Sequence, residues 1–191
     1  MSILSQVNKL SIELIPVERI KTDLGVALVF KIENYETWLS DFSKVEVQQA
    51  VVNNILSNEL DEFSLNRAES GAPELKSRDY SEISISHSNG YFALYLSNLS
   101  VGIDIETPRK IPSIGTSYFL NPCESKDWSN EELIAIWCTK EALFKKQKGA
   151  IVDLRIDATV IEVGKMIKIE FKGEVFAFYL IQTQKYTLVY G

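Results

Sequence analysis

The sequence predicts an α+β fold, because segments with the period of a β-strand and segments with the period of a helix follow one another along its 191 residues. Residues Val101–Glu106 alternate apolar and polar side chains, which is the pattern of a strand with one buried face. Residues Glu131–Lys146 form the clearest helix, with acidic residues in the first turn and lysines in the last turn. The helix dipole favours that arrangement of charge.

Three further segments can be assigned in the first 81 residues. The apolar run Gly25–Ile32 predicts a buried strand, and Val45–Leu60 predicts a helix. The polar segment Leu65–Ser81 contains Gly71 and Pro73, which predicts a loop.

The next segments predict a hairpin and a strand-rich tail. Glu82–His87 and Tyr91–Ser97 read as strands on either side of the turn residues Ser88-Asn89-Gly90. From Ile156 onward the chain is rich in Val, Ile, Phe and Tyr, with a turn expected at Phe171–Glu174.

A weak internal repeat is also present. Asp23–Lys31 aligns with Asn98–Glu106 without gaps, and each segment is a strand that is followed later by a helix. Chance similarity between apolar strands is an equally good explanation. The repeat therefore does not by itself divide the chain.

Composition excludes several classes of protein. The net charge is −6 and no basic face is obvious, so a nucleic-acid partner is not expected. Cys123 and Cys138 lie apart without a CxxC pattern, which argues against disulfides or a cysteine zinc site and favours a reducing, cytoplasmic location. Met1–Leu10 has no signal-peptide pattern, and no apolar run has the roughly 18 residues of a membrane span.

The strand Val101–Glu106 carries a pair of carboxylates. Alternate side chains share a face, so Asp104 and Glu106 lie on the side opposite Val101, Ile103 and Ile105. Two residues along a strand span roughly 6.5–7 Å, so the two carboxylates can converge on one hard cation such as Mg²⁺. A solvated strand face is the ordinary alternative for such a pair.

Two further titratable groups belong to neighbouring elements. Glu141 lies beside the apolar stripe of the Glu131–Lys146 helix, where a carboxylate needs a metal or a partner, and Lys145 is one turn away. His87, the only histidine, ends a strand and could donate a hydrogen bond to a phosphate. The ordinary alternatives are an i,i+4 salt bridge and a polar strand end.

These segments together resemble the 4'-phosphopantetheinyl transferase superfamily, in its longer, surfactin-synthetase-activating branch. The resemblance rests on three motifs, Ser84–Ser88 (SISHS), Val101–Glu106 (VGIDIE) and Trp137–Lys145 (WCTKEALFK), and on the spacing between them. Tyr118–Glu124 (YFLNPCE) is similar to an aromatic stretch of that family. The motif-bearing sequence covers residues 71–149.

The resemblance implies a fold and an activity. The fold would consist of two similar halves, each an antiparallel sheet packed on a long helix, that form an intramolecular pseudo-dimer with halves 1–95 and 96–191. The activity would be transfer of 4'-phosphopantetheine from coenzyme A to a serine of an acyl or peptidyl carrier protein. The protein would be a cytoplasmic monomer that depends on Mg²⁺ and has no membrane partner.

The resemblance also implies roles for individual residues. Asp104, Glu106 and Glu141 would hold Mg²⁺, and Glu141 or a metal-bound water would act as the base. Lys145 would steady the leaving phosphate, and His87 would assist at the same phosphates. The residues that would contact coenzyme A are Ser86, His87, Gly71, Pro73, Lys140 and Lys145.

Three positions depart from the family pattern. Ala72 stands where a lysine usually follows the glycine, and Lys44–Leu56 lacks the usual arginines. The glycine pair after the lysine motif is reduced to Gly149. Two alternatives therefore stay open: a non-catalytic homologue that binds a carrier protein or a nucleotide, and an unrelated Mg²⁺-dependent phosphohydrolase. The spacing of Trp137–Lys145 argues against the second.

A carrier protein is an acidic partner, and this chain is acidic overall, so docking would need a local basic patch. The expected patch is Lys140, Lys145, Lys146 and Lys148.

Overall fold

The computed structural model describes residues 12–124, 126–148, 150 and 153–191. Those residues form a mixed α+β fold with several antiparallel sheets, as expected from the sequence. The expectation about Met1–Leu10 and the departure at Gly149 lie outside the described residues. Within the part that is described, no helix is long and apolar enough to cross a membrane.

Eleven strands and four α-helices make up the described residues. The strands are β1 (Leu14–Lys21), β2 (Gly25–Ile32), β3 (Phe63–Arg67), β4 (Pro73–Ser77), β5 (Glu82–Ser88), β6 (Tyr91–Ser97), β7 (Ile103–Glu106), β8 (Ala158–Glu162), β9 (Met166–Phe171), β10 (Glu174–Gln182) and β11 (Thr187–Tyr190). The α-helices are α1 (Tyr35–Asp41), α2 (Lys44–Glu59), α3 (Ser113–Thr116) and α4 (Asn130–Lys146), and Pro122–Glu124 forms a 3-10 turn.

The strands form two large sheets and a separate hairpin. The four-stranded sheet has the order β1-β2-β6-β5, and the five-stranded sheet has the order β7-β11-β10-β9-β8. Strands β3 and β4 pair only with each other. Strand β7 is therefore at one edge of its sheet and pairs on one side with β11, with Asp104 opposite Val189.

Buried apolar residues form three clusters among the described residues. One joins α2 to the four-stranded sheet, for example Ile55 with Leu94. A second joins α4 to the five-stranded sheet, for example Leu143 with Val189. The third contains residues of both sheets, including Tyr95 and Ile103. The alternation in Val101–Glu106 follows from this arrangement, because its apolar residues belong to the third cluster.

Both long helices begin with the same local device. Ser43 before α2 and Ser129 before α4 each accept a hydrogen bond from the backbone N–H three residues later. The glutamate at that third position, Glu46 or Glu132, accepts from the serine N–H in return. This capping box satisfies N–H groups that have no partner within the helix, so it fixes where each helix starts.

The predicted loop at Leu65–Ser81 is wrong. The chain forms the hairpin β3–β4 there, with Leu65 opposite Leu75, and Leu75 is buried. Apolar residues are too sparse in this segment to show a strand period, and Gly71 and Pro73 mark the hairpin's connection rather than a longer loop. The other predicted strands and helices are present, and their bounds differ by one or two residues.

Gly102, directly before β7, lies in close contact with α4. A methyl group on its Cα would lie 1.9 Å from the carbonyl oxygen of Ala142 and 2.7 Å from its carbonyl carbon. Its N–H and C=O are both bonded to the backbone of Gly191. The strand cannot move aside without losing that pairing, so only a glycine allows this approach.

We predict that Gly102→Ala lowers the free energy of unfolding by about 2–3 kcal/mol, because the extra methyl group overfills a packed contact. Urea unfolding measures this directly. The matched control is Gly164→Ala, where the added group would lie 3.8 Å from its nearest neighbour, the Met166 carbonyl oxygen. A Gly102→Ala variant as stable as the control would show that β7 and α4 are not in close contact.

Candidate functional site

The candidate site is built around Asp104, a residue that is only 5% exposed. Its Oδ1 accepts hydrogen bonds from Ser86 Oγ at 2.6 Å and from Lys145 Nζ at 2.6 Å. These donors come from β5 and α4, so one oxygen atom joins three elements. Burying a carboxylate is unfavourable unless it is paired and hydrogen-bonded, and this pairing makes its position tolerable.

The other oxygen of Asp104 is not satisfied. Oδ2 is buried, and no N–H or O–H group among the described residues donates to it. The thiol of Cys138, a weak donor, lies close enough for the Asp104 charge to act on it. Burial raises the pKa of Cys138, and the charges of Asp104 and Glu106 raise it further, so the thiol stays protonated.

Glu106 lies two residues further along β7 and is held by a different set of donors. Its Oε2 accepts from Ser88 Oγ at 2.9 Å. Its Oε1 accepts from Trp137 Nε1 and from the Arg109 guanidinium, each at 3.3 Å. The partners of Glu106 therefore come from β5, α4 and the chain just after β7.

Glu141 shares this electrostatic environment. Burial raises its pKa above the ordinary value for a glutamate, and the charges of Asp104 and Glu106 raise it further. The Lys145 ammonium acts in the opposite direction. Three carboxylates thus interact around one lysine, and a cation would relieve their repulsion.

A complete metal shell is not assembled in this arrangement. Within residues 12–124, 126–148, 150 and 153–191, no three His, Cys, Asp or Glu side chains lie close enough together to hold a metal ion. The chemistry of the donor set nevertheless fits a hard cation, because it consists of carboxylates and includes the unsatisfied Asp104 Oδ2. The assignment of Asp104, Glu106 and Glu141 as metal ligands stays a prediction.

A cavity of about 610 Å³ is lined in part by Lys145, the lysine that pairs with Asp104. Its walls come from α2, the β3–β4 hairpin, β5 and the end of α4. Lys145 belongs to both places, since it lines the cavity and its Nζ is bonded to Asp104. Cavities of this size commonly bind ligands as large as a nucleotide.

The cavity contains several of the residues predicted to bind coenzyme A. Gly71, Pro73, His87 and Lys145 line it, and so does Ala72. The structure brings these residues together from segments that are far apart in the sequence. Their contacts with coenzyme A stay predictions.

His87 is neutral at physiological pH. Burial, together with the cations of Lys44 and Lys145 and against a smaller opposing effect of Asp104, lowers its pKa to about 4. Its ring lies 5.4 Å from that of Phe92. It can therefore donate one N–H to a phosphate oxygen, as predicted, but it brings no positive charge.

Lys140 does not lie where the sequence predicted. The sequence predicted that it lies beside the phosphates, but its side chain is fully buried. Its Nζ donates to Glu124 Oε2 at 2.8 Å and to the carbonyl oxygens of Phe119 and Ala158. All three N–H groups of its ammonium donate to residues that do not line the cavity. Lys140 therefore belongs to the folded core, and it cannot form part of a basic docking patch.

Ser86 and Lys145 have partners other than those expected. Ser86 is 7% exposed and does not line the cavity, so its surroundings do not support a phosphate contact. The ordinary alternative for Lys145 was an i,i+4 salt bridge with Glu141, but its Nζ bonds to Asp104 and to the Ile103 carbonyl oxygen. The carboxylate that it pairs with therefore comes from β7, and its contact with a phosphate stays a prediction.

Two cations of the cavity were not predicted. Arg67 lines it from β3 and donates to the Gly71 carbonyl oxygen at 3.0 Å. Lys148 lines it after α4 and pairs with Glu82 at 2.8 Å. Arg67 was missed because its segment was read as a loop. Lys148 was assigned to docking and not to the cavity.

No family model matches the chain, and no curated protein matches it either. Function is therefore argued from the site.

We predict that His87 keeps a neutral imidazole until the pH falls well below 6. Its folded-state pKa of about 4 is below the ordinary histidine pKa of 6.5, so between these values the unfolded chain binds the proton more readily. Stability should therefore fall as the pH is lowered through this window. Because the chain has one histidine, its imidazole NMR signals are unambiguous. A titration midpoint near 6.5 would contradict the buried environment.

Proposed function

We propose that this protein is a magnesium-dependent 4'-phosphopantetheinyl transferase. It would transfer the phosphopantetheine group of coenzyme A to a serine of an acyl or peptidyl carrier protein and release adenosine 3',5'-bisphosphate. The observation that carries the proposal is Lys145, which lines the 610 Å³ cavity while its ammonium group holds the buried carboxylate of Asp104. A phosphate-binding cavity and a cation-binding cluster would then share one residue.

The cavity supports a ligand with phosphates. Arg67, Lys145 and Lys148 supply positive charge, and His87 supplies a neutral hydrogen-bond donor. Between them lies apolar surface from Val52, Leu65 and Phe144, among other residues. An apolar cavity with a few convergent polar groups suits a nucleotide-like ligand.

The mechanism follows from where the charges lie. Asp104, Glu106 and Glu141 would hold Mg²⁺, which when bound neutralises charge on the pyrophosphate. Glu141 would accept the proton of the attacking serine hydroxyl, directly or through a water molecule. The serine oxygen bonds to the phosphorus that carries pantetheine, and the bond from that phosphorus to the bridging oxygen breaks. Lys145 then stabilises the negative charge left on adenosine 3',5'-bisphosphate.

The pseudo-dimer is part of the proposal. Residues 1–95 contain α2 and three of the strands in the four-stranded sheet, while residues 96–191 contain α4 and the five-stranded sheet. The cavity is lined from both parts of the chain. An active site between two such units would explain why its residues come from both.

Docking of the acidic carrier protein would use two lysines at the end of α4. Lys148, just after the helix, is exposed and pairs with Glu82, and the half-buried Lys146, the last residue of the helix, donates to the Ser100 carbonyl oxygen at 2.8 Å. Both lie within three residues of Lys145 in sequence. A carrier protein bound there would present its serine close to the proposed phosphates.

The rival proposal is a homologue that binds a nucleotide or a carrier protein without catalysis. It is favoured by Ala72 and by the wall that α2 contributes to the cavity, where Gln48, Gln49 and Asn53 stand in place of arginines. Amides bind phosphate more weakly than guanidinium groups do. Turnover separates the two proposals.

We predict that the parent protein, with Mg²⁺ and coenzyme A, adds one phosphopantetheine to an apo carrier protein, as measured by intact mass. Glu141→Gln should lower kcat/KM by about 100- to 1,000-fold, as expected for the loss of one catalytic group. Glutamine is nearly isosteric with glutamate, so the fold should be preserved.

The matched control is Glu131→Gln, an exposed glutamate in the first turn of the same helix, which should leave turnover unchanged. If the parent modifies none of several acyl and peptidyl carrier proteins, the transferase proposal fails. If the parent is active and Glu141→Gln is equally active, Glu141 is neither a metal ligand nor the base.

A further inference from the structure

Three serines of β5 form regular contacts with β7. Ser84 Oγ accepts from the Ile103 N–H at 3.0 Å, and the same bond links Ser86 to Ile105 at 3.3 Å and Ser88 to Thr107 at 3.2 Å. Each pair is separated by 19 residues, so the two strands run in the same direction. We call Ser84, Ser86 and Ser88 the serine ladder.

The ladder satisfies the free edge of the five-stranded sheet. One side of β7 pairs with β11, and the N–H groups of alternate residues on its other side would otherwise be buried without partners. A serine at every second position of β5 places one hydroxyl opposite each of these groups.

Two members of the ladder make a second bond. Ser86 Oγ donates to Asp104 Oδ1 at 2.6 Å, and Ser88 Oγ donates to Glu106 Oε2 at 2.9 Å. A serine hydroxyl has one proton to donate, so once that proton bonds to a carboxylate the orientation of the hydroxyl is fixed. Among the bonds of Ser84 that the structure describes, none goes to a carboxylate. Ser84 is therefore an internal control, because it binds a backbone N–H as the other two serines do but no carboxylate of the described residues.

We propose that Ser86 and Ser88 are positioning residues for the acidic pair of the metal site, which rests on the proposed function. Each hydroxyl ties a carboxylate to the backbone of the following residue through a single atom. The four-stranded sheet, which supplies the hydroxyls, thus sets the direction of the carboxylates that the five-stranded sheet supplies. Neither serine contacts the transferred group.

The physical reason is the freedom of a carboxylate. The terminal torsion of an aspartate is broad, so an unrestrained Asp104 could present either oxygen to a cation. Ser86 and Lys145 both bind Oδ1, which leaves Oδ2 as the available ligand. Mg²⁺ demands nearly ideal geometry, and groups that orient its ligands commonly change affinity 10- to 100-fold.

The first test needs no metal. Trp137 Nε1 donates to Glu106 Oε1, so its indole N–H resonance reports on the position of Glu106. Trp137→Phe assigns that signal among the three tryptophans. Ser88→Ala should shift it, whereas Ser84→Ala should leave it in place. Ser88→Thr keeps the hydroxyl and should restore the parent position.

The second test titrates the protein with Mg²⁺ alone and follows binding by calorimetry and by the same indole signal. Ser86→Ala and Ser88→Ala should each raise the Kd for Mg²⁺ by about tenfold or more. Ser84→Ala should leave it within about twofold of the parent, although all three variants lose an acceptor for a backbone N–H and should melt a few degrees lower.

These outcomes separate the inference from the function on which it rests. If Ser84→Ala shifts the Trp137 indole or weakens Mg²⁺ as much as the other two variants do, the serines act only as backbone acceptors and the inference fails. If the parent does not bind Mg²⁺, the metal assignment fails, and the metal-free indole shifts still decide whether Ser88 positions Glu106. If Ser86→Ala does not fold, the half-buried Ser88 supplies both tests.

Discussion

The buried carboxylate of Asp104 is the constraint on which the rest of the site depends. Asp104 is only 5% exposed, and a buried carboxylate is unfavourable unless other groups bond to it. Here the donors come from two separate elements. Ser86 requires β5 to lie alongside β7, and Lys145 requires the last turn of α4 to cover the same strand. The close approach at Gly102 makes the second contact possible. The packing of β5, β7 and α4 and the electrostatics of the site are therefore consequences of one another.

Much of the fold follows from local patterns. The strand Gly25–Ile32 was predicted from an apolar run and the helix Glu131–Lys146 from the charges of its first and last turns, and both patterns act over a few neighbours. The β3–β4 hairpin was missed for the opposite reason. Its one buried residue, Leu75, gives no period, and that residue packs into the cluster that joins α2 to the four-stranded sheet.

The site was less predictable, because it depends on which face of an element a side chain occupies. Lys140 and Glu141 are neighbours in sequence, but adjacent residues of a helix point about 100° apart. Glu141 consequently faces Asp104, while Lys140 is buried against Glu124. Ser86 illustrates a second limit. Its alternation with Ser84 and Ser88 was visible in the sequence, but the strand edge that these hydroxyls satisfy was not.

The central proposal is that Asp104, with Glu106 and Glu141, forms a cation site and that the cavity lined by Lys145, the partner of Asp104, binds a nucleotide. Its most direct test is anomalous diffraction from crystals grown with Mn²⁺ and coenzyme A. The account predicts a manganese peak within bonding distance of Asp104 Oδ2, with Glu106 and Glu141 as its neighbours and the pyrophosphate beside Lys145. Coenzyme A bound in the cavity with no peak at Asp104 would contradict it, as would a peak bound only by other residues.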